Sequence, residues 1–152
     1  MVKMVILILL LCLLLLFLKK LFNKKRYESY QNEKRISVKG TPLQKCNCAP
    51  NQKQTGWLRD GYCSNNENDT GTHIVCAKVT NEFLNFTRSK GNDLITPSNG
   101  FPGLVEGDCW CLCVSRWLEA YREGVAPPIY LDKTDQSVLK YVDKQILEAH
   151  AL

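Results

Sequence analysis

An unbroken apolar segment near the N-terminus, Met4–Leu18, is the feature that most constrains what this chain can fold into. It has fifteen residues, mostly Leu and Ile, with lysines on both sides. A helix of that length spans roughly 22 Å at a rise of about 1.5 Å per residue, less than the ~30 Å hydrocarbon core of a bilayer. Leu21 and Phe22 extend the apolar surface, and a slightly thinned bilayer accommodates a short helix. The segment therefore predicts a transmembrane anchor over residues 1–22 that contacts the lipid bilayer through residues 4–22.

A cleaved secretory signal peptide is the alternative interpretation of this segment. No pair of small residues follows the apolar run at the spacing of a cleavage site, which favours the uncleaved anchor. Five basic residues lie within the eight positions after the run, so the positive-inside rule predicts a cytosolic C-terminal domain. In a secreted or lumenal domain, the sequons at Asn68 and Asn85 would instead be glycosylation sites.

Charge is distributed unevenly along the chain. Residues 1–40 carry nine basic and two acidic side chains, a net charge of +7, whereas residues 41–152 carry eleven and thirteen, a net charge of −2. A nucleic-acid-binding domain needs its excess of Lys and Arg on the folded surface to neutralise phosphates. We therefore expect no nucleic-acid partner. We interpret residues 23–39 as a basic juxtamembrane linker and residues 40–152 as a single domain with a modest core.

Residues 40–152 alternate short strand patterns and helix patterns with long loops rich in Gly and Pro. The predicted strands are His73–Val79, Cys109–Val114 and Ile129–Leu131. The predicted helices are Asn81–Lys90, Arg116–Glu123 and two short terminal helices, with N-caps at Thr80, Ser115, Thr134 and Asp143. These elements lack the regular crossovers of a doubly wound sheet. The prediction is an α+β fold, a small two-layer α/β sandwich preceded by one N-terminal transmembrane helix.

Eight ordered motifs in the domain match a known pattern. They are RDGYCS (59–64), THIVCA (72–77), EFLNF (82–86), GNDLITP (91–97), GFPGL (100–104), GDCWCLC (107–113), RWLEAYREGVAPP (116–128) and LEAHA (147–151). Together they resemble a mostly bacterial family known as domain of unknown function 2237. The resemblance implies a compact two-layer α+β fold and brings no activity with it. Family members usually have Arg at the position of Cys109 and Cys at that of Tyr62, and Cys48 is an addition, so a site built on Cys48 or Cys109 would be peculiar to this chain.

The chain contains eight cysteines, and Cys12 lies within the apolar segment. The other seven cannot all pair with one another, because their number is odd. Cys109, Cys111 and Cys113 alternate with other residues, so a strand would place their thiols on one face. Neighbouring thiols on that face are then nearly 7 Å apart at Cα, too far for a disulfide. Any bonding partners must come from elsewhere in the domain.

Three interpretations of these cysteines stay open: buried apolar packing, a zinc site, and disulfides or thiol redox chemistry. A zinc site would draw its ligands from Cys46, Cys63, Cys76, Cys111, Cys113 and His73. The Cys-x-Cys spacing is one residue shorter than the usual zinc knuckle. We therefore predict no cofactor, with zinc as the open alternative.

Several polar side chains are candidates for a binding site. They are Asp60, His73, Asn92, Asp93, Asp108 and Arg116, of which most lie in predicted loops. His73 precedes Cys76 by three residues, so a strand would put the two on opposite faces. A catalytic pair of these two is not expected, although Cys63 or Cys111 could approach His73 in space.

The sequence supports two functional hypotheses. The leading one is a binding or interaction module held at a membrane. The rival is a small cysteine- or metal-dependent enzyme with a site between the 91–108 loop and the 109–113 strand, because long loops in compact domains often carry function. Convergence of Asp93, Asp108, Arg116 and a thiol on one concave site would favour the enzyme.

Overall fold

The structure is a computed structural model that describes residues 2–49, 54–98 and 100–152, and within the first helix it describes the side chains of residues 10–26. The chain divides into two compact units, Met1–Lys34 and Arg35–Leu152. Each unit is described by itself below.

The N-terminal unit is one helix, α1, Val2–Lys34. It continues through most of the predicted linker 23–39, because Lys, Arg, Glu and Gln are good helix formers and no Gly or Pro interrupts them. The large apolar side chains from Leu10 to Phe22 are exposed. Among the described residues, no helix combines the length and apolarity needed to cross a membrane. The structure thus lends no support to the predicted transmembrane anchor. The side chains of residues 1–9, which belong to that predicted segment, are not among those described.

The C-terminal unit is a small α+β domain, which confirms the α+β part of the predicted fold. Its elements in chain order are β1 (Val75–Lys78), α2 (Asn81–Ser89), β2 (Cys109–Leu112), α3 (Val114–Arg122), a 3-10 helix (Gln136–Lys140) and α4 (Lys144–Ala149). The sheet of these elements has two antiparallel strands. At the predicted third strand, Ile129 forms only isolated bridges with Ala77 and Ala151. The two preceding residues are prolines, which have no N–H to donate to a ladder.

The predicted N-caps of α2 and α4 are confirmed. The Thr80 hydroxyl accepts a hydrogen bond from the Phe83 N–H at 3.2 Å, and Asp143 is the N-cap of α4. Ser115 was expected to cap α3, but that helix begins two residues earlier than predicted, with Cys113 as its N-cap. The earlier start places a thiol, rather than a serine hydroxyl, at the helix N-terminus.

The N-cap of the 3-10 helix is Asp135, whose carboxylate accepts from the Ser137 N–H at 2.9 Å. The predicted cap, Thr134, is fully buried and accepts instead from the Cys76 N–H at 3.0 Å. Thr134 therefore ties the C-terminal segment to β1.

The two strands separate two buried clusters. Cys76 pairs with Cys111 across the sheet. Along β2, Cys109 and Cys111 belong to a cluster of buried cysteines, whereas Trp110 and Leu112 belong to the main hydrophobic core. The alternation predicted from the sequence therefore sorts sulfur to one face and large apolar side chains to the other.

Three disulfides form within the cysteine cluster and beside it. They are Cys46–Cys76, Cys48–Cys109 and Cys63–Cys111, with Cα separations of 5.6, 5.5 and 5.2 Å. Each joins a β-strand to the segment that precedes the sheet. The two cysteines that depart from the family pattern are bonded to each other. Cys12 and Cys113 remain as thiols.

Candidate active site

A buried carboxylate lies in the turn before β1. The Asp69 side chain is only 1% exposed. One of its oxygens, Oδ2, accepts from the His73 N–H at 2.7 Å. The other, Oδ1, accepts from the Gly71 N–H at 3.1 Å and lies 2.7 Å from His73 Nδ1. Asp69 thus fixes both the backbone and the ring of His73, and leaves ring nitrogen Nε2 for another partner.

The backbone between these two residues is shaped to let the ring approach. A Cβ added to Gly71 would overlap the imidazole of His73. The next residue, Thr72, has φ of +53°, which is rare for a β-branched residue and costs about 1–3 kcal/mol. Strained conformations of this kind persist where the surroundings enforce them, and they cluster at functional sites.

His73 also contacts the thiol of Cys113. Hydrogen bonding with the Cys113 side chain and with Asp69, together with the negative charges of both groups, raises the pKa of His73 to about 9, although partial burial of the ring lowers it. The imidazole is therefore protonated at neutral pH. An imidazolium beside a cysteine is the pairing that favours a reactive thiolate.

Cys113 lies where β2 ends and α3 begins, and its side chain is half-buried. The Val114 N–H donates to the Thr72 carbonyl at 3.2 Å. The Ser115 and Arg116 N–H groups lie in the first turn of α3 and have no acceptor within the helix. These donors and the helix dipole favour negative charge near the thiol.

A cavity of about 340 Å³ opens beside His73. Its lining combines aromatic rings, a cation and small polar groups: Gly56, Trp57, Arg59, His73, Asp93, Leu94, Ser98, Phe101, Trp110 and Cys111. The Trp57 ring stacks on His73, with 6.2 Å between ring centroids and 20° between planes. This volume lies at the lower end of the range for small-molecule sites.

The polar candidates predicted from the sequence are dispersed in the structure. Asp60 pairs with Arg35 at 2.9 Å, Asn92 donates to the Thr87 hydroxyl at 2.8 Å, Asp108 accepts from the Val105 N–H at 3.1 Å, and Arg116 pairs with Glu119 at 2.9 Å. Asp93 and His73 line the cavity, and Asp108 and Arg116 are not among its lining residues. The expected convergence of Asp93, Asp108, Arg116 and a thiol does not occur, and a different set assembles around His73.

Asp93 lines the cavity, and its carboxylate is already hydrogen-bonded within its own turn. It accepts from the N–H groups of Ile95 and Thr96, each at 2.9 Å, and from the Thr96 hydroxyl at 2.7 Å. Arg88 Nε lies 3.3 Å away. The hydrogen bonds from Thr96 are the main reason that the pKa of Asp93 is lowered. Asp93 is thus an ionised turn-capping residue that also faces Arg88.

The predicted zinc ligands fall into two groups. The sulfurs of Cys46, Cys63 and Cys76 lie within 4.8 Å of one another and are buried, a separation at which reduced thiols could hold a metal ion. However, Cys46 forms a disulfide with Cys76, and Cys63 forms one with Cys111. A disulfide offers no thiolate to Zn²⁺. Cys113 contacts His73 instead.

Sequence reasoning missed the roles of Asp69 and Cys113 beside His73. Asp69 could have been found from its position in a turn four residues before His73. The side chains of these two residues are hydrogen-bonded in the structure. Cys113 could have been found from its position between a buried strand and an amphipathic helix. A cysteine at such a boundary can lie at the helix N-terminus, where a thiolate is favoured.

Comparison with known proteins identifies the domain at the level of family. No curated protein matches the chain. The sequence model of a family described as "Uncharacterized protein conserved in bacteria (DUF2237)" matches residues 36–151. The match begins after α1 and covers the whole α+β domain that carries Asp69, His73 and Cys113. On that match, and in agreement with the eight motifs, the chain belongs to the DUF2237 family.

Proposed function

We propose that the domain is a thiol-dependent acyl-transfer enzyme, with Cys113 as nucleophile and His73 as proton carrier. One observation carries the proposal: a buried carboxylate holds a histidine that contacts a thiol at the N-terminus of a helix. Nucleophile, base and orienting group in this order are the arrangement of cysteine and serine acyl transferases on unrelated folds. The order along the chain is the reverse, with Asp69 first and Cys113 last. The arrangement is therefore defined by the contacts and not by the sequence order.

The chemistry follows from the contact between the protonated His73 ring and Cys113. The Cys113 thiolate adds to the carbonyl carbon of an ester or thioester, and the Ser115 and Arg116 N–H groups stabilise the oxyanion. The bond to the leaving group breaks, and the leaving group takes the proton of the His73 imidazolium. Water then attacks the acyl-enzyme while neutral His73 accepts a water proton. The bond to Cys113 breaks, which releases the acid and restores the thiolate–imidazolium pair.

Asp69 supports these steps without exchanging protons itself. Its bond to His73 Nδ1 keeps the opposite nitrogen, Nε2, available to the reacting atoms. A pure binding module gives no reason for a buried acid to hold a histidine against a thiol. For this reason we favour the enzyme hypothesis over the binding module.

Alkylation by iodoacetamide tests the thiolate–imidazolium pair directly. At pH 7 we expect Cys113 to react about tenfold faster than Cys113 in a His73→Ala variant, because the imidazolium stabilises the thiolate. As pH rises through about 9 the imidazolium loses its proton, so the two rates should converge. Peptide mapping by mass spectrometry gives the rate at each site, and exposed Cys12 serves as a reference thiol in the same molecule.

Equal rates for Cys113 in the two proteins at pH 7 would remove the basis for a cysteine nucleophile. A rate for Cys113 no faster than that of Cys12 at pH 7 would have the same consequence. A His73→Gln variant provides the matched control for ring packing, since its amide keeps much of the volume and cannot carry the charge.

We further propose that the domain works in an oxidising compartment, in contrast to the cytosolic location predicted from flanking charges. The three disulfides support this location, because reduced thiols prevail in the cytosol. The sequon asparagines Asn68 and Asn85 are exposed. Expressed in a eukaryotic secretory pathway, the protein should migrate faster after glycosidase treatment, and non-reducing gels should show faster migration than reducing gels. Free thiols at all eight cysteines in protein isolated from its own host would contradict this location.

A further inference from the structure

We propose that the cavity beside His73 selects acyl groups that carry a carboxylate, and that Arg59 is the residue that recognises this charge. The proposal rests on the acyl-transfer function above and adds the class of substrate. It starts from Arg59, the one cation of the lining that forms no ion pair with an acidic side chain among the described residues.

Arg59 is held over an aromatic wall of the cavity. Its guanidinium lies 5.2 Å from the ring centroid of Trp110, which is 7% exposed. Phe101 packs edge-on against the same ring at 5.4 Å. Stacking on a buried indole orients the planar guanidinium and leaves its N–H edge open for a carboxylate.

No acidic side chain within the described residues forms an ion pair with Arg59. Among the described residues of the lining, the one acid is Asp93, which already contacts Thr96, Ile95 and Arg88. The cavity therefore presents Arg59 to a ligand, whereas its acid Asp93 already faces Arg88 and its histidine is already paired with Asp69. A cation without a partner in a partly apolar cavity binds an anion, and Arg suits the planar geometry of a carboxylate.

The backbone that bears Arg59 is fixed rather than adaptable. Arg59 has φ of +54°, a conformation that a long side chain adopts only where the surroundings enforce it. Its N–H donates to the Gly56 carbonyl at 3.1 Å, and the Gly61 N–H donates to the Thr55 carbonyl at 3.0 Å. The buried hydroxyl of Thr55 accepts from the Cys111 N–H at 2.8 Å, which joins this turn to β2.

The walls specify the rest of the ligand. Trp57, Phe101 and Trp110 offer aromatic faces, and Leu94 adds an apolar one. A small aromatic or aliphatic acyl group fits these faces in a volume of about 340 Å³. His73 then lies at the reacting end, where it also contacts Cys113.

The test compares two p-nitrophenyl esters on the full chain: the 4-carboxyphenylacetate ester and the uncharged phenylacetate ester. We expect kcat/KM to favour the charged ester about tenfold. Arg59→Gln should abolish that preference, Arg59→Lys should retain part of it, and the surface control Arg122→Gln should retain all of it. Equal kcat/KM for the two esters, or an Arg59→Gln variant that slows both alike, would overturn the proposal.

A binding measurement separates this proposal from the acyl-transfer function. In Cys113→Ser protein, benzoate should quench the fluorescence of the cavity tryptophans at concentrations at least tenfold lower than benzyl alcohol, and Arg59→Gln should remove the difference. If neither ester is turned over but benzoate binds through Arg59, the acyl-transfer function fails and the anion site stands. If benzoate binds no better than benzyl alcohol, the anion site fails whatever the turnover.

Discussion

Replacing Cys113 with serine is expected to abolish turnover while leaving the fold intact or slightly more stable. A hydroxyl is a far weaker nucleophile than a thiolate at neutral pH, and removal of a nucleophile lowers kcat by about 10³-fold or more. At the same position serine is a preferred N-cap residue. Cys113 makes no side-chain hydrogen bond to the first turn of α3, so a serine that does so would add up to about 1 kcal/mol of stability. The measurements are kcat/KM for p-nitrophenyl phenylacetate and the free energy of unfolding in urea.

The opposite response of activity and stability is what distinguishes a nucleophile from a packing residue. A half-buried cysteine that only packs would lose stability on replacement and keep its activity. Cys12→Ser, in the exposed part of α1, is the matched control and should change neither quantity. Turnover by Cys113→Ser within tenfold of the native protein would contradict the mechanism.

The cysteines of β2 could be placed from the sequence, but their disulfide partners could not. The alternation of residues in β2 predicted a strand with its cysteines on one face, because side chains on a strand have a period of two. Since neighbouring cysteines on that face are too far apart to bond, their partners had to lie elsewhere in the domain. It could not supply the identity of those partners. They are Cys48 and Cys63, and this pairing depends on how the chain before the sheet folds back on it. Apolar packing, the first interpretation of the cysteines, was wrong for six of them.

The candidate catalytic set was missed for a related reason. His73 was assigned to a strand, and the strand begins only at Val75. As a strand residue it would face away from Cys76, so Cys63 and Cys111 were the thiols expected to be able to approach it. As a turn residue it bonds Asp69 four positions earlier and meets Cys113 from the end of the other strand. An error of two residues at a boundary thus hid the contact, since element ends are the least certain part of a pattern-based prediction.

Removing the Cys63–Cys111 disulfide is expected to lower the free energy of unfolding by about 4 kcal/mol. The two residues are 48 apart in sequence, and closing a loop of that length reduces the entropy of the unfolded chain by roughly this amount. Cys63 and Cys111 are buried, so their replacement by alanine also leaves space in the cysteine cluster. A loss of this size is a large part of the 5–15 kcal/mol typical of a domain. Urea unfolding of the Cys63→Ala/Cys111→Ala variant, compared with the native protein, measures it.

The same variant also tests the link between the disulfides and the cavity. Cys111 lines the cavity and its N–H holds Thr55, which anchors the turn that bears Arg59. Loss of this disulfide should therefore weaken benzoate binding as well as stability. The Cys48→Ala/Cys109→Ala variant is the control, since neither of its residues lines the cavity, and chain entropy predicts a similar loss of stability for its 61-residue separation. If both variants lose stability but bind benzoate equally well, the disulfides stabilise the domain without positioning Arg59, and the fixed turn must depend on its hydrogen bonds alone.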